Sequence, residues 1–281
     1  MTSPAELLAA YDAQLRTAAE TGGAQGLTRL GPLHLATFTG RGGFVTYRDL
    51  GDADEHRVRE LVVAAKSHFE NQTDVARAEW KTRGHDHAPG LHEALVENGF
   101  EPDEPESIMV GEARLLALDL DLPDGIVLRQ VHEEADIRAM CAMQGEVFGD
   151  DPAEIEAMAD SIVRHSGTDD SEMWIAEADG QVISAGRLSP VADSDFAGIW
   201  GGSTRPEWRG RGVYRALTAA RAKSALRLGK RFINSDSTEF SRPILERSGL
   251  VKVSTTTPYL WRRDAGETVK SQNPVERRHG S

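Results

Sequence analysis

A single cysteine, Cys141, among 281 residues excludes an internal disulfide and any metal site built on several thiolates. Long apolar runs are missing too. No stretch approaches the ~20 residues that a membrane-spanning helix needs. The opening Met1-Thr-Ser-Pro-Ala has no basic segment followed by an apolar one, so a secretory leader is not expected. These absences together predict a cytoplasmic protein with no membrane partner. Positive charge is also in deficit, with 32 Lys and Arg against 45 Asp and Glu for a formal net charge of −13. Duplex binding rests on many Lys and Arg contacts to phosphate, so nucleic acid is not an expected partner. The excess negative charge serves solubility, and it also suits a cationic substrate. From Arg262 to Ser281 apolar residues nearly vanish, which predicts a flexible tail unable to offset its ordering entropy.

What the chain does contain is an apolar strand from Phe196 through Thr204, then Arg209-Gly210-Arg211-Gly212, then an apolar-faced helix opening at Val213. Glycines allow successive N–H groups to converge, and a helix start adds unpaired amides and the positive end of a dipole. That order predicts a pyrophosphate cradle. A Walker-type loop needs a Lys-Ser/Thr pair after its glycines, whereas Val213-Tyr214-Arg215 follows here. A dinucleotide fold needs its glycines after the first strand, and this loop comes late, behind an antiparallel-looking strand series. The pyrophosphate of coenzyme A is the ligand these residues suit best.

The stretch from Ser203 to Leu217 resembles the acyl-CoA loop of the GNAT superfamily of N-acyltransferases, whose signature is Gln/Arg-x-x-Gly-x-Gly/Ala. Arg209 and Gly212 match, and Tyr214 stands where Gly or Ala is usual. Leu245-Glu-Arg-Ser-Gly249-Leu250 resembles the Tyr-Glu-Lys-x-Gly-Phe segment, with Leu245 replacing the tyrosine that many members use as general acid. The resemblance implies acetyl-CoA as co-substrate and a primary amine of a small molecule or peptide as acceptor, attacking the thioester directly. It implies that Gly202, Ser203 and Thr204 pair with pantetheine, and that the amides of Arg209, Gly210, Arg211, Gly212, Val213, Tyr214 and Arg215 face the pyrophosphate. Asn234 and Ser235, on a strand expected to splay away from the cofactor strand, would line the thiol end.

Periodicity outlines an α/β fold in which a mixed, mostly antiparallel sheet is flanked by helices. In the second half, helices are predicted over 133–148, 153–165, 213–228 and 241–247, with strands over 126–131, 173–177, 182–188, 195–203, 232–235 and 251–261. Residues 126–261 are therefore expected to form a catalytic GNAT domain. Residues 1–120 repeat part of the plan, ending a helix in Leu95-Val-Glu-Asn-Gly99-Phe100 and adding a strand over 107–116. There, however, Gly51-Asp-Ala-Asp-Glu55 occupies the cradle position, and its carboxylates would repel a pyrophosphate. One reading is a degenerate, cofactor-free GNAT-like domain; the other is chance similarity between two α/β segments.

Proton-handling groups are less marked. Glu239 is a candidate base or an exposed surface acid. Tyr259 is a candidate replacement acid or a sheet-packing aromatic. His85-Asp86-His87 and His92 supply donor atoms for zinc, but with no cysteine nearby a solvated turn is the expectation, and no metal is assigned. Cys141 falls on an apolar helix face, as a packing residue does. The alternative to an enzyme is a non-catalytic acyl-CoA-binding or sensory module. A monomer and a homodimer suit the sequence equally.

Overall fold

A computed structural model describes residues 2–38, 42–165 and 170–263. In chain order the elements are α1 (Pro4–Leu15), β1 (Gly26–Leu30), β2 (Leu33–Phe38), β3 (Gly42–Tyr47), α2 (Glu55–Gln72), β4 (Arg77–Lys81), α3 (Leu91–Glu97), β5 (Glu101–Pro102), β6 (Glu106–Glu112) and α4 (Ala113–Leu116). There follow β7 (Ile126–Val131), α5 (Glu134–Phe148), α6 (Pro152–His165), β8 (Glu172–Ala178), β9 (Gln181–Pro190), β10 (Phe196–Thr204), α7 (Val213–Arg227), β11 (Phe232–Ser237), α8 (Arg242–Ser248), β12 (Val251–Thr256) and β13 (Pro258–Arg262). Positions 264–281, most of the expected tail, lie outside the described residues. No described helix is long and apolar enough to cross a membrane.

Two compact units result, and neither is one continuous stretch of chain. The first comprises Met1–Gly22, Arg83–His85 and Glu104–Thr257; the second comprises Gly23–Thr82, Asp86–Asp103 and Pro258–Ser281. The first has a seven-stranded sheet in the order β12-β6-β11-β10-β9-β8-β7, and the second a six-stranded sheet in the order β1-β2-β3-β4-β13-β5. Every described pairing is antiparallel except β10 with β11 and β3 with β4. The sequence boundary expected at 120 therefore cuts across both sheets. Strand β6, from the first half of the chain, is internal to the first unit's sheet, while β13, the last strand, is internal to the second's. The single extended segment expected over 251–261 is two strands in two sheets. Thr257-Pro258 ends the first run, because proline has no N–H to continue a ladder.

In the first unit α7 covers one face, packing Ala222 and Ala225 on Leu188, Ala197, Ile199 and Ile233. On another face α1 lays Leu7, Tyr11 and Leu15 over Ile108, Val110, Phe196 and Phe232. Helices α5 and α6 bury Ile137, Met140, Cys141, Met143 and Ile162 against Val131, Ile175 and Val182. The β8–β9 hairpin turns through Asp179 and Gly180, both at positive φ, as the short Ala-Asp-Gly connection predicts. In the second unit α2 and α3 cover the sheet, with Val58, Leu61, Val62, Phe69, Leu91 and Leu95 in one core with Trp80 and Tyr259.

The two helix endings singled out in the sequence close identically. Phe100 N–H donates to Leu95 O at 3.0 Å and Leu250 N–H to Leu245 O at 3.0 Å, with Gly99 and Gly249 left-handed between them. Leu245, at the position where the resemblance expects tyrosine, is buried in the core under α7.

Candidate active site

Strands β10 and β11 run in parallel for three register pairs only, ending at Gly198 with Asn234. Both then continue, β10 for six residues and β11 for three, without pairing to one another. The pair opens into a gap. Ser235 Oγ bridges its root by donating to Ile199 O at 3.0 Å. On its other side β10 keeps to β9, with a bulge between Trp200 and Ser203. Two glycines form that bulge. Gly201 has φ of 59°, and its carbonyl accepts from Gln144 of α5. At Gly202 a Cβ would lie 2.6 Å from the Tyr214 hydroxyl, so the ring that replaces the usual small residue is accommodated by the absence of a side chain opposite.

Polar groups on β11 lack protein partners among the described residues. Asn234 is 5% exposed and Ser237 2% exposed, yet the Asn234 Oδ1 and Ser237 Oγ atoms meet no hydrogen-bonding partner among the described residues. Leaving such groups unpaired costs about 1–3 kcal/mol each, so a ligand supplying the missing bonds would be favoured there. Ser203 and Thr204 are also buried, but they are engaged. Ser184 Oγ donates to Ser203 O at 2.7 Å and lies 2.8 Å from Thr204 Oγ1.

From Thr204 the chain passes through a short turn, Pro206–Trp208, into the cradle. Gly210 and Gly212 have φ of 74° and 81°, with open space where a Cβ would project. Gly212 caps α7 without a side chain, and the first backbone bond of the helix is Ala216 N–H to Gly212 O at 2.9 Å. The amides of Val213, Tyr214 and Arg215 therefore precede the ladder and are open to an anion. Arg209, Arg211 and Arg215 are exposed and form no ion pair among the described residues. In contrast, Arg205, just before them, pairs with Glu146 at 2.6 Å. Arg209 Nε donates to Thr204 O at 3.1 Å, and the Arg211 guanidinium stacks 4.8 Å over the ring of Trp208.

Residues 137–247 match the Acetyltransferase (GNAT) family. The matched stretch lies within the first unit. Acyl transfer from an acyl-CoA is the general chemistry of this family. No curated protein matches the chain in sequence. Solved structures share the fold over most of the chain. A GCN5-related N-acetyltransferase from Kribbella flavida is 17% identical, with a TM-score of 0.62, over 86% of this chain and 92% of its own. A functionally unknown conserved protein from Staphylococcus epidermidis is 14% identical, with a TM-score of 0.66, over 85% of this chain and 94% of its own. A tandem GNAT protein from the clavulanic acid biosynthesis pathway is 16% identical, with a TM-score of 0.60, over 92% of this chain and 95% of its own.

Within the first unit, the residues brought together at the gap and the glycine loop are Gly202, Asn234, Ser235 and the run from Arg209 to Arg215. Glu239 is not turned inward. It is 70% exposed at the side chain and grips Arg242 with both oxygens, at 2.8 and 3.1 Å. Tyr259 belongs to the second unit. On β13 it pairs with Trp80 and Pro102, and its hydroxyl lies 2.8 Å from His92 Nδ1. Burial raises its pKa, and Glu93 adds to the effect. The histidines noted in the sequence go separate ways, His92 to Tyr259 and His85 to Ser254 Oγ at 2.6 Å and Asp12 Oδ1 at 3.1 Å. Cys141 is buried, and burial pushes its thiol pKa up.

Sequence reasoning missed Ser237, Gln144 and the Trp208–Arg211 stack. Adjacent glycines at 201 and 202 inside a strand were a legible sign of the bulge. Nothing local marks Gln144, which reaches Gly201 across 57 positions of sequence.

Proposed function

We propose that the first unit is an acetyl-CoA-dependent N-acetyltransferase acting on a primary amine of a small molecule or peptide. The observation that carries this reading is the opening between β10 and β11, with the buried, unpartnered Asn234 side chain where the strands part, leading to a glycine cradle ringed by unpaired arginines. Pantetheine would run along β10 from Thr204 toward Gly202, where the bulge turns backbone groups away from the ladder. Its pyrophosphate would take the amides from Arg209 to Arg215. The thioester would then lie in the gap beside Asn234 and Ser235.

The amine nitrogen attacks the thioester carbonyl carbon. A C–N bond forms, the C–S bond breaks, and the sulfur leaves with the electron pair. Because Glu239 is held by Arg242 and Tyr259 by His92, the reading routes the amine proton to water. Holding the nucleotide at one end places the reacting carbon at the other, which is the main contribution a scaffold of this kind makes to rate. The second unit is read as a cofactor-free GNAT-like copy. There β3 and β4 also run parallel for three pairs, but Asp54 caps its own helix by accepting from Arg57 N–H at 2.9 Å, and Asp49 accepts from Gly51 N–H at 3.1 Å. Carboxylates stand where the first unit offers open amides.

Buried Leu245 favours a second reading, a module that binds acyl-CoA without turnover. Calorimetric titration with acetyl-CoA, followed by thiol release over a panel of amines, separates the two. Binding with turnover on any amine supports the transferase. Binding with none supports the module, and no binding at millimolar ligand defeats both.

A further inference from the structure

We propose that the sheet face opposite α7 holds an acceptor subsite for an amino acid, with Asn234 on the amine and Arg187 on the carboxylate. This inference rests on the transferase reading above and names the substrate class of that site. Side chains alternate along a strand, and residues opposite one another in a ladder share a face. Asn234 lies opposite Val110, which α1 covers, so its side chain belongs to the α1 face. Gly198, its partner in the last parallel pair, shares that face, and so does Trp200, two residues on. Trp200 in turn lies opposite Arg187, which alternates with Ala185 under α5. Asn234, Trp200 and Arg187 therefore line up across β11, β10 and β9 on the face that α1 and α5 cover, while α7 packs on Ile199 and Ile233 of the other. A cofactor held at the start of α7 and an acceptor on the opposite face meet where β10 and β11 part.

The row is polar along its length. At the β11 end Asn234 is 5% exposed, and its Oδ1 meets no hydrogen-bonding partner among the described residues. A carboxamide oxygen only accepts, so the missing partner is a donor, as an amine is. Asp236, opposite Ile108 and so on the same face, adds a carboxylate beyond the last parallel pair. Trp200 forms the middle, its indole in the room that a Cβ at Gly198 would need. At the other end Arg187 Nε lies 3.8 Å, and Gln144 Nε2 2.9 Å, from where a Cβ at Gly201 would stand, which brings the guanidinium to the bulge. A guanidinium has five donors in a planar fork, so a contact to one protein group leaves an edge for a carboxylate. Acceptor atoms and negative charge at one end, a cation at the other and a flat apolar surface between them match a zwitterion. A polyamine would bring its second charge to Arg187 and be repelled. The amine, having lost a proton to water, attacks the thioester carbonyl carbon. The C–N bond forms, the C–S bond breaks with its electron pair going to sulfur, and the thiolate takes a proton from water, leaving an N-acetyl amino acid and free coenzyme A.

The test is thiol release by the full chain with acetyl-CoA over the standard amino acids, β-alanine and 4-aminobutyrate, each beside the amine left by removing its carboxylate. At least one amino acid is expected to turn over with kcat/KM about tenfold or more above that of its decarboxylated partner. Arg187→Gln should lower kcat/KM for that amino acid about tenfold or more and leave the decarboxylated amine within about twofold, a split that general destabilisation does not produce. Arg187→Lys should keep part of the preference, because an ammonium retains the charge without the fork. Asn234→Leu should lower both alike, since the amine is common to both. Turnover confined to amines without a carboxylate, an equal loss on both partners in Arg187→Gln, or unchanged turnover in Asn234→Leu overturns the subsite and leaves the transferase reading intact. Acetyl-CoA binding by calorimetry with no turnover in either series overturns the subsite and the transferase together.

Discussion

Gly202 and Tyr214 depend on one another. Alanine at 202 would put a methyl group within 2.6 Å of the phenol oxygen, so Gly202→Ala should displace the ring and weaken coenzyme A binding. Tyr214→Ala in the same chain should restore part of the loss, and a double-mutant cycle on ligand affinity measures that coupling. At Gly212 the φ of 81° makes any side chain strained, by roughly 1–2 kcal/mol. Gly212→Asp adds a negative charge against the anion as well. It should abolish binding by calorimetry with the far-ultraviolet circular dichroism unchanged. Glu112 offers a pH test. The Thr2 amide at 2.8 Å, its hydroxyl at 2.9 Å and Arg114 Nε at 2.5 Å hold this buried carboxyl down at about 2 instead of 4.5. A depressed carboxylate stabilises the fold above its ordinary value, and that stabilisation is lost as pH falls toward the folded value. Glu112→Gln should therefore be less stable than the unmodified protein above pH 4.5, and chemical denaturation should show the difference closing by about pH 2.

Helix starts distinguish the two units at the scale of elements. Helix α2 begins on Asp54, whose side chain satisfies one of its free amides, while α7 begins on Gly212 and leaves its amides open. A side-chain cap of this kind contributes about 1 kcal/mol. Asp54→Ala should lower the urea midpoint of the protein accordingly, and it should leave coenzyme A affinity untouched if the second unit binds no nucleotide. The α7 face holds a second oddity. Arg221 is fully buried, and it donates to Leu217 O at 3.3 Å, Arg187 O at 3.2 Å and Thr218 Oγ1 at 3.4 Å, with the Tyr214 hydroxyl a further partner. Burial lowers its pKa, and the Tyr214 phenol offsets part of the cost. Its guanidinium occupies the room left at Gly186, where a Cβ would lie 2.5 Å away.

At the scale of the whole molecule the exchange of strands has a mechanical consequence. Strand β6 pairs with β11 on one side and β12 on the other, so residues 126–281 alone would lack an internal strand. They would also lack α1, which covers Ile108, Val110, Phe196 and Phe232. Residues 1–120 would in turn lack β13, which lies between β4 and β5. Neither fragment should melt cooperatively by itself, and mixing the two should restore the transition. A cooperative melt of 126–281 alone would contradict this account of the fold.

Most elements of the second half were legible from period, turn residues and caps, all of which act within a few residues of chain. The glycine turn before α7 was legible for the same reason, since glycine spacing and a helix start are local. So was the repeat of the helix endings at Gly99 and Gly249, where positive φ selects glycine. The N-terminal helix α1 and strands β1 and β2 went unread. The fate of 107–116 and 251–261 was beyond any local signal, because a β-branched run has the same pattern whichever sheet it joins. Tyr259 shows the limit. Its sequence neighbours place it on a strand, but only long-range pairing decides that the strand is β13 beside Trp80 and that the hydroxyl meets His92. Sequence alone thus determined the glycine turn and helix start on which the proposed phosphate site rests, because these depend on backbone conformation over a few residues. Tertiary structure alone decided where the gap opens, which polar groups it leaves unpaired and which half of the chain completes each sheet, because those depend on contacts between residues far apart in sequence.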